Sequence, residues 1–152
     1  MRIERTFDSK LINYVLNHPR IRKHVNDDAS DGVVYPVLDS IYYLAAYEND
    51  IIAGMFVVFQ LNGVTMDAHS AILPGFYGKK AIEAGKKAIS WVFENTGALK
   101  INGSTPVCNR LALNFSEAIG FEREGINRKS FMLNGNLYDQ VYFGLEREKW
   151  IN

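Results

Sequence analysis

The amino-acid sequence predicts an α/β protein, a layered arrangement of strands and helices in the order β, two helices, βββ, α, β, α, ββ. Three observations carry that reading. Residues 40–73 hold three consecutive strand-like runs broken by turn residues. Residues 77–95 and 110–119 place alanine, leucine and isoleucine at helical spacing, and the runs 99–104, 121–127 and 137–145 are short and strand-like. No repeat or low-complexity segment interrupts them. The 152 residues are therefore expected to form a single domain, 1–152, large enough to bury a continuous core without disulfides or metal.

Residues 2–7 alternate as a short strand. Asp8 is placed to cap a helix whose apolar positions Leu11, Ile12, Val15 and Leu16 follow helical spacing. Asn17-His18-Pro19 ends that helix, because a proline ring disfavours helical backbone in the residue before it. A second short helix is expected over Ile21–Val25, and Asn26–Pro36, with three aspartates and a glycine, reads as loop. The runs Ser40–Tyr47, Ile51–Gln60 and Val64–Leu73 are separated by Glu48-Asn49-Asp50 and Leu61-Asn62-Gly63. Asn62-Gly63 above all carries hairpin chemistry, so the three runs form an antiparallel meander. A long helix then covers about Tyr77–Asn95 and ends near Gly97. A strand (Leu99–Ser104), a helix (Arg110–Ile119, closed by Gly120) and two strands (near Phe121–Asn127 and Leu137–Leu145) complete the order, with Asn26–Asp39 and Lys129–Asn136 as the main loops.

Composition narrows the functional classes. Hydrophobic residues make up 47% and charged residues 22%, and no apolar run approaches the roughly eighteen residues a membrane-spanning helix needs. The start, MRIERTFDSK, is charged where a signal peptide needs an apolar core, so a cytoplasmic protein with no membrane partner is expected. Seventeen basic and seventeen acidic residues cancel, which removes the global positive field of nonspecific nucleic-acid binding, and no nucleic-acid partner is expected. The one cysteine, Cys108, cannot form an internal disulfide, and no Cys or His cluster has metal-ligand spacing, so no metal is expected.

Two places could hold chemistry. The first is the entry to the long helix, Gly75-Phe76-Tyr77-Gly78-Lys79-Lys80-Ala81, directly after a strand ending in Leu73-Pro74. Helix N-termini present unpaired N–H groups and partial positive charge, and glycines let a ligand approach the backbone, which suits phosphate oxygens. Lys79 and Lys80 oppose the helix dipole there, a placement that an occupying anion would justify; a solvated polar face is the structural alternative. The second place is Asn109-Arg110-Leu111-Ala112-Leu113-Asn114-Phe115-Ser116-Glu117-Ala118-Ile119-Gly120-Phe121, where Asn109 suits an N-cap and Gly120 a C-terminal stop.

The spacing of Asn109, Ala112, Phe115, Gly120 and Phe121 resembles the Asn-x-x-Ala-x-x-Phe-Tyr-x-x-x-Gly-Phe motif of the GCN5-related N-acetyltransferase (GNAT) superfamily. Residues 73–81 sit where that superfamily places its pyrophosphate loop, and Tyr138-Asp139-Gln140, before the last strand, resembles its closing segment. The segment from Asn17 to Asp28 resembles small phage-encoded members, some associated with head assembly. The resemblance implies a mixed, mostly antiparallel central sheet with helices on both faces. It also implies acetyl-CoA wedged between two splayed strands, about Val64–Leu73 and Leu99–Ser104. Backbone groups of Ile72 and Leu73 would pair with the pantetheine arm, N–H groups of Phe76, Tyr77, Gly78, Lys79, Lys80 and Ala81 would hold the pyrophosphate, and Asn109 would contact the arm from the other side.

The implied reaction is direct transfer of an acetyl group to a primary amine, on a small molecule or a protein, with one group removing the amine proton and another protonating the leaving thiolate. Asp67 and His69 alternate on one strand face and are the candidate base. The usual tyrosine acid is replaced by Ser116, so proton donation would need a water, Tyr138 or Tyr142; Gly75 and Lys80 also depart from the superfamily's loop pattern. These departures support a second reading, a catalytically impaired protein of the same fold with an assembly role in a phage setting. His18 and His24 read as turn and surface residues. Lys149-Trp150 either docks on the body or marks a subunit contact, and a homodimer stays open.

Overall fold

The computed structural model describes residues 1–25, 27–29 and 33–151, and of residues 24 and 25 the backbone alone. Part of the loop expected after the second helix, and the side chain of His24, lie outside the described residues. The elements are β1 (Arg2–Thr6), α1 (Ser9–Leu16), α2 (Pro19–Val25), β2 (Ile41–Glu48), β3 (Ile51–Gln60), β4 (Thr65–Ile72), α3 (Lys79–Asn95), β5 (Lys100–Pro106), α4 (Arg110–Ala118), β6 (Glu122–Leu133), β7 (Asn136–Glu146) and α5 (Arg147–Ile151). The strands form one seven-stranded sheet in the order β1-β2-β3-β4-β5-β7-β6, antiparallel at each junction except the parallel β4–β5 pair.

Local chemistry accounts for most element ends. The Asp8 carboxylate accepts from the N–H groups of Lys10 and Leu11 and starts α1, and Pro19 opens α2, where its missing N–H costs nothing. The α4 C-terminus is a Schellman motif: Phe121 N–H donates to the Ser116 carbonyl and Gly120 N–H to that of Glu117, with Gly120 at φ +112°. The expected antiparallel meander forms, though its two turns close differently. Two-residue turns with both φ angles positive join β2 to β3 at Asn49-Asp50 and β6 to β7 at Asn134-Gly135. At residues 61–64 the Asn62 Oδ1 instead accepts from the N–H groups of Val64 and Thr65, a side-chain turn in which Gly63 needs no positive φ.

Two expectations are corrected, and one open choice is decided. Lys129–Asn136 is not a loop but the far end of a long β6–β7 arm; a bulge around Lys129 (φ 49°) interrupts the arm, and the Asp139 carboxylate accepts the Lys129 N–H at 2.9 Å. Tyr138-Asp139-Gln140 lies within β7 rather than before it, because pairing to β6 continues to the turn. The chain end is α5, which docks: Trp150 Nε1 donates to Ser90 Oγ at 3.2 Å, and its ring packs against the main core beside Gly120.

Helices cover both sheet faces. On one face Val92, Ile89, Phe93 and Ala88 of α3, with Leu113 of α4, pack on Leu44, Phe56, Met66, Ile101 and Phe143. On the other, Ile12, Val15 and Leu16 of α1 and Ile21 of α2 pack on Tyr43, Ala45, Met55 and Ala71. Tyr43 is buried, its hydroxyl donates to the Pro36 carbonyl at 2.8 Å, and burial pushes its pKa up. Asp28 reaches across this side to the β6–β7 tip, its carboxylate accepting from the N–H groups of Asn134 (2.9 Å) and Gly135 (3.0 Å). No helix among the described residues is long and apolar enough to cross a membrane.

The docked α5 gives a direct test. Trp150→Ala removes a large ring from the main core and its bond to Ser90, and is expected to lower unfolding free energy by about 2–3 kcal/mol in urea titration.

Candidate functional site

Strand pairing creates the site. β4 and β5 pair through Thr65–Lys100, Met66–Ile101 and Asp67–Asn102 and then diverge, although both strands continue. On β4 the two backbone sides alternate: Leu73 N–H donates to Ala53 of β3 and the Ala71 carbonyl abuts Gly54, so Ala68, Ser70 and Ile72 turn their N–H and C=O groups away from β3. The Ala68 oxygen lies 3.5 Å from where a Gly103 side chain would start, which places this edge against the gap. A cleft of about 210 Å³ opens there, lined by Ala68, His69 and Ser70 of β4, Gly103 and Ser104 of β5, and Ser116 of α4. Its walls include Gly85 of α3, where a Cβ would stand 2.9 Å from both Phe115 and Ile119.

The α3 N-terminus lies past the open end of β4. Gly78 is its N-cap, at φ 71° and ψ −130°, with no side-chain cap, so the first-turn N–H groups have no partner supplied from the cap. Gly75 is at φ 92°, and a Cβ at Gly75 or Gly78 would meet nothing within 4 Å, so the concave side of this turn is open.

The expected contacts need correction at two residues, Leu73 and Phe76. Leu73 N–H is committed to Ala53 (2.9 Å) and Phe76 N–H to the Leu73 carbonyl (3.2 Å), so neither serves a ligand; the available groups are those of Tyr77, Gly78, Lys79, Lys80 and Ala81. Lys80 turns its ammonium to Glu48 at the end of β2 (2.8 Å) and over the Phe76 ring, whereas Lys79 is exposed. Asn109 acts as the N-cap of α4, its Oδ1 accepting the Ala112 N–H at 3.1 Å, while also lining the cleft.

Asp67 and His69 do stand together. His69 Nε2 is 2.8 Å from Asp67 Oδ2, with Asp67 mostly buried and His69 half-exposed, and the imidazole stacks on Phe59. They lie on the α1–α2 face, opposite Met66 in the main core; Ser116 approaches from the α4 face, so the two sides meet only through the gap. Tyr142, cross-strand from Ser104, lies on the His69 face rather than with Ser116. Ala68 and Ser70 were missed as backbone contributors. The period-2 alternation of β4 held that signal, but only the neighbouring β3 shows which edge is free. Cys108 is exposed, and no group of three or more metal-ligating side chains occurs among the described residues.

Comparison with known proteins agrees with this fold. The structure matches the spermidine N-acetyltransferase of Vibrio cholerae, solved with CoA and spermine, at a TM-score of 0.81, 18% identity, and 99% and 98% coverage of the two chains. It matches a GNAT-family acetyltransferase of Bacillus anthracis at 0.74, 17% identity, and 97% and 96% coverage. The fold is that of the GNAT acetyltransferases. By sequence, the chain belongs to the family described as a protein of unknown function, DUF2824, whose profile matches residues 3–149. It is also 28% identical over 116 residues to the SPbeta prophage-derived uncharacterized N-acetyltransferase YokL of Bacillus subtilis, across 74% of this chain; the chain spans 65% of that relative's length.

The close approach at Gly85 can be tested by stability alone. Gly85→Ala forces Phe115 and Ile119 to shift and is expected to cost about 1–3 kcal/mol on chemical denaturation, whereas Gly97→Ala, with open space around it, is expected to be near neutral.

Proposed function

We propose that this protein is an acetyl-CoA-dependent N-acetyltransferase that acts on a primary amine. The observation that carries the reading is the β4–β5 fork: three paired residues, then a ligand-sized cleft edged by backbone groups that lack a strand partner. The cofactor fits the residues present, because the uncapped α3 N-terminus and the open turn at Gly75 and Gly78, past the end of β4, suit an anion. The N–H groups of Tyr77 to Ala81 would hold the pyrophosphate, and the free edge of Ala68, Ser70 and Ile72 would pair with the pantetheine arm as a missing strand would. Lys80 serves by pinning the turn to Glu48 rather than by touching phosphate.

Acetyl-CoA supplies an activated thioester carbonyl. Asp67 orients the His69 ring through Nε2, which leaves Nδ1 to take the proton of the incoming amine. Ser116, on the α4 side of the same cleft, would relay a proton to the leaving thiolate through a water. The spermidine and spermine of the Vibrio cholerae enzyme, and the prophage origin of YokL, support an amine acceptor and a phage setting. Ser116, in the place of the superfamily's tyrosine, favours the second reading, a binding protein with an assembly role. The two readings part on turnover.

Calorimetric titration with CoA and acetyl-CoA is expected to show binding, weakened about tenfold or more in Gly78→Val, since a β-branched residue resists φ 71°. No heat at millimolar ligand would overturn the proposal. In a thiol-release assay over an amine panel, His69→Ala is expected to lower kcat by about 10²–10⁴ with CoA affinity unchanged. Binding without thiol release from any amine would leave the assembly reading.

A further inference from the structure

Beyond the cleft a second cavity, of about 290 Å³, opens among α2, the β5–α4 turn and the far end of β6. Its floor is apolar, made by Pro106, Leu111, Phe131 and Leu133. Its charge is of one sign, from Lys23 of α2 and Arg110 of α4, and no carboxylate among the described residues lines it. Other basic side chains of this surface find acidic partners: Lys80 with Glu48, Lys100 with Glu124, Arg123 with Glu117 and Lys149 with Glu122. Among the described residues Lys23 and Arg110 make no ion pair. The carboxylates on the segment beside the β6 tip are engaged elsewhere, Asp28 with the N–H groups of Asn134 and Gly135 and Asp27 with that of Ala29. Two like charges at an apolar hollow repel each other, and an anion seated between them removes that cost.

The cavity adjoins the cleft at the fork. Pro106, Asn109 and Phe131 line both, so the two spaces meet along the end of β5. They also meet on the sheet face that carries His69. Phe131 stands cross-strand from Tyr138 and Leu133 from Asn136, and these β7 positions alternate in step with Tyr142, which lies on that face. Lys23 comes from α2, whose Ile21 packs on the same side. Three features therefore follow one another along one face: the imidazole at the fork, a shared apolar wall, and a pair of cations.

We propose that this second cavity holds the far end of the acceptor, an apolar chain that ends in a carboxylate, with Lys23 and Arg110 as its counter-charges and the amine at the other end beside His69. The apolar floor takes the methylenes, and the two cations select against an acceptor whose far end is a second ammonium. The inference rests on the acetyltransferase reading and names the substrate class of that same site. The cofactor brings an anion of its own, the 3′-phosphate of CoA, and the test separates the two sources.

The test is calorimetric titration of the CoA-saturated protein, at low salt, with 6-aminohexanoate, hexylamine and 1,6-diaminohexane, which share a chain length and differ at the far end. 6-Aminohexanoate is expected to bind about tenfold more tightly than the diamine, with hexylamine between them. Lys23→Glu and Arg110→Glu are each expected to weaken 6-aminohexanoate by about fivefold or more and to leave hexylamine and CoA within about twofold, because both side chains are exposed and act here through charge. No binding of 6-aminohexanoate, diamine binding as tight as that of 6-aminohexanoate, or unchanged 6-aminohexanoate affinity in either variant each overturns the proposal. So does a loss of affinity for CoA in the variants that dephospho-CoA does not share, which assigns the two cations to the cofactor's 3′-phosphate. Absence of CoA binding to the unaltered protein overturns the acetyltransferase reading instead, and removes this one with it.

Discussion

Between Thr65 and Asp67 β4 is hydrogen-bonded to β5; beyond Asp67 neither strand has the other for a partner. Backbone N–H and C=O groups are costly to leave unpaired away from water, and a sheet normally closes such an edge. Here the edge stays open because β5 pairs along its other side with β7 over its whole length, from Lys100–Glu146 to Pro106–Gln140, which holds it away from β4. The α3 and α4 helices then keep the gap from collapsing. They touch each other closely at Gly85, Phe115 and Ile119, so the cleft has a firm wall on that side.

The electrostatics follow from the same divergence. Once β4 is released from β5, the chain turns through Gly75 and Gly78 into α3 and leaves the helix without a side-chain cap, so the positive end of its dipole has no partner from the cap. Two lysines beside that dipole would repel it, and the structure relieves half of this by sending Lys80 to Glu48. Near the apex of the fork the carboxylates are paired instead, Asp67 with His69 and Glu124 with Lys100.

Legibility in the sequence tracks the range of the interaction. Asp8, Pro19, Asn109 and Gly120 act within a few residues of themselves, and each performs the capping role its type suggests. The strand and helix order was equally readable, because alternation and helical spacing report on burial directly. Errors arose where a local signal had competing solutions. Asn62-Gly63 looked like the strongest hairpin dipeptide, yet the Asn62 side chain closed that turn itself, and the positive-φ pairs formed at Asn49-Asp50 and Asn134-Gly135. The long β6–β7 arm was hidden because its bulge at Lys129 breaks alternation, and the carboxylate that stabilises the bulge, Asp139, lies ten residues away.

By itself the sequence determined most of the elements and their order, and it singled out His69, Asn109 and Ser116, which line the candidate cleft. Each of these depends on side-chain type at short spacing. Only the tertiary structure decided which backbone edge of β4 is free, that Leu73 and Phe76 spend their N–H groups internally, that Lys80 belongs to Glu48, and that Asn102 stands beside Asp67. These are outcomes of register between strands distant in the chain. A single rung's shift in any of them would put a different set of side chains at the fork.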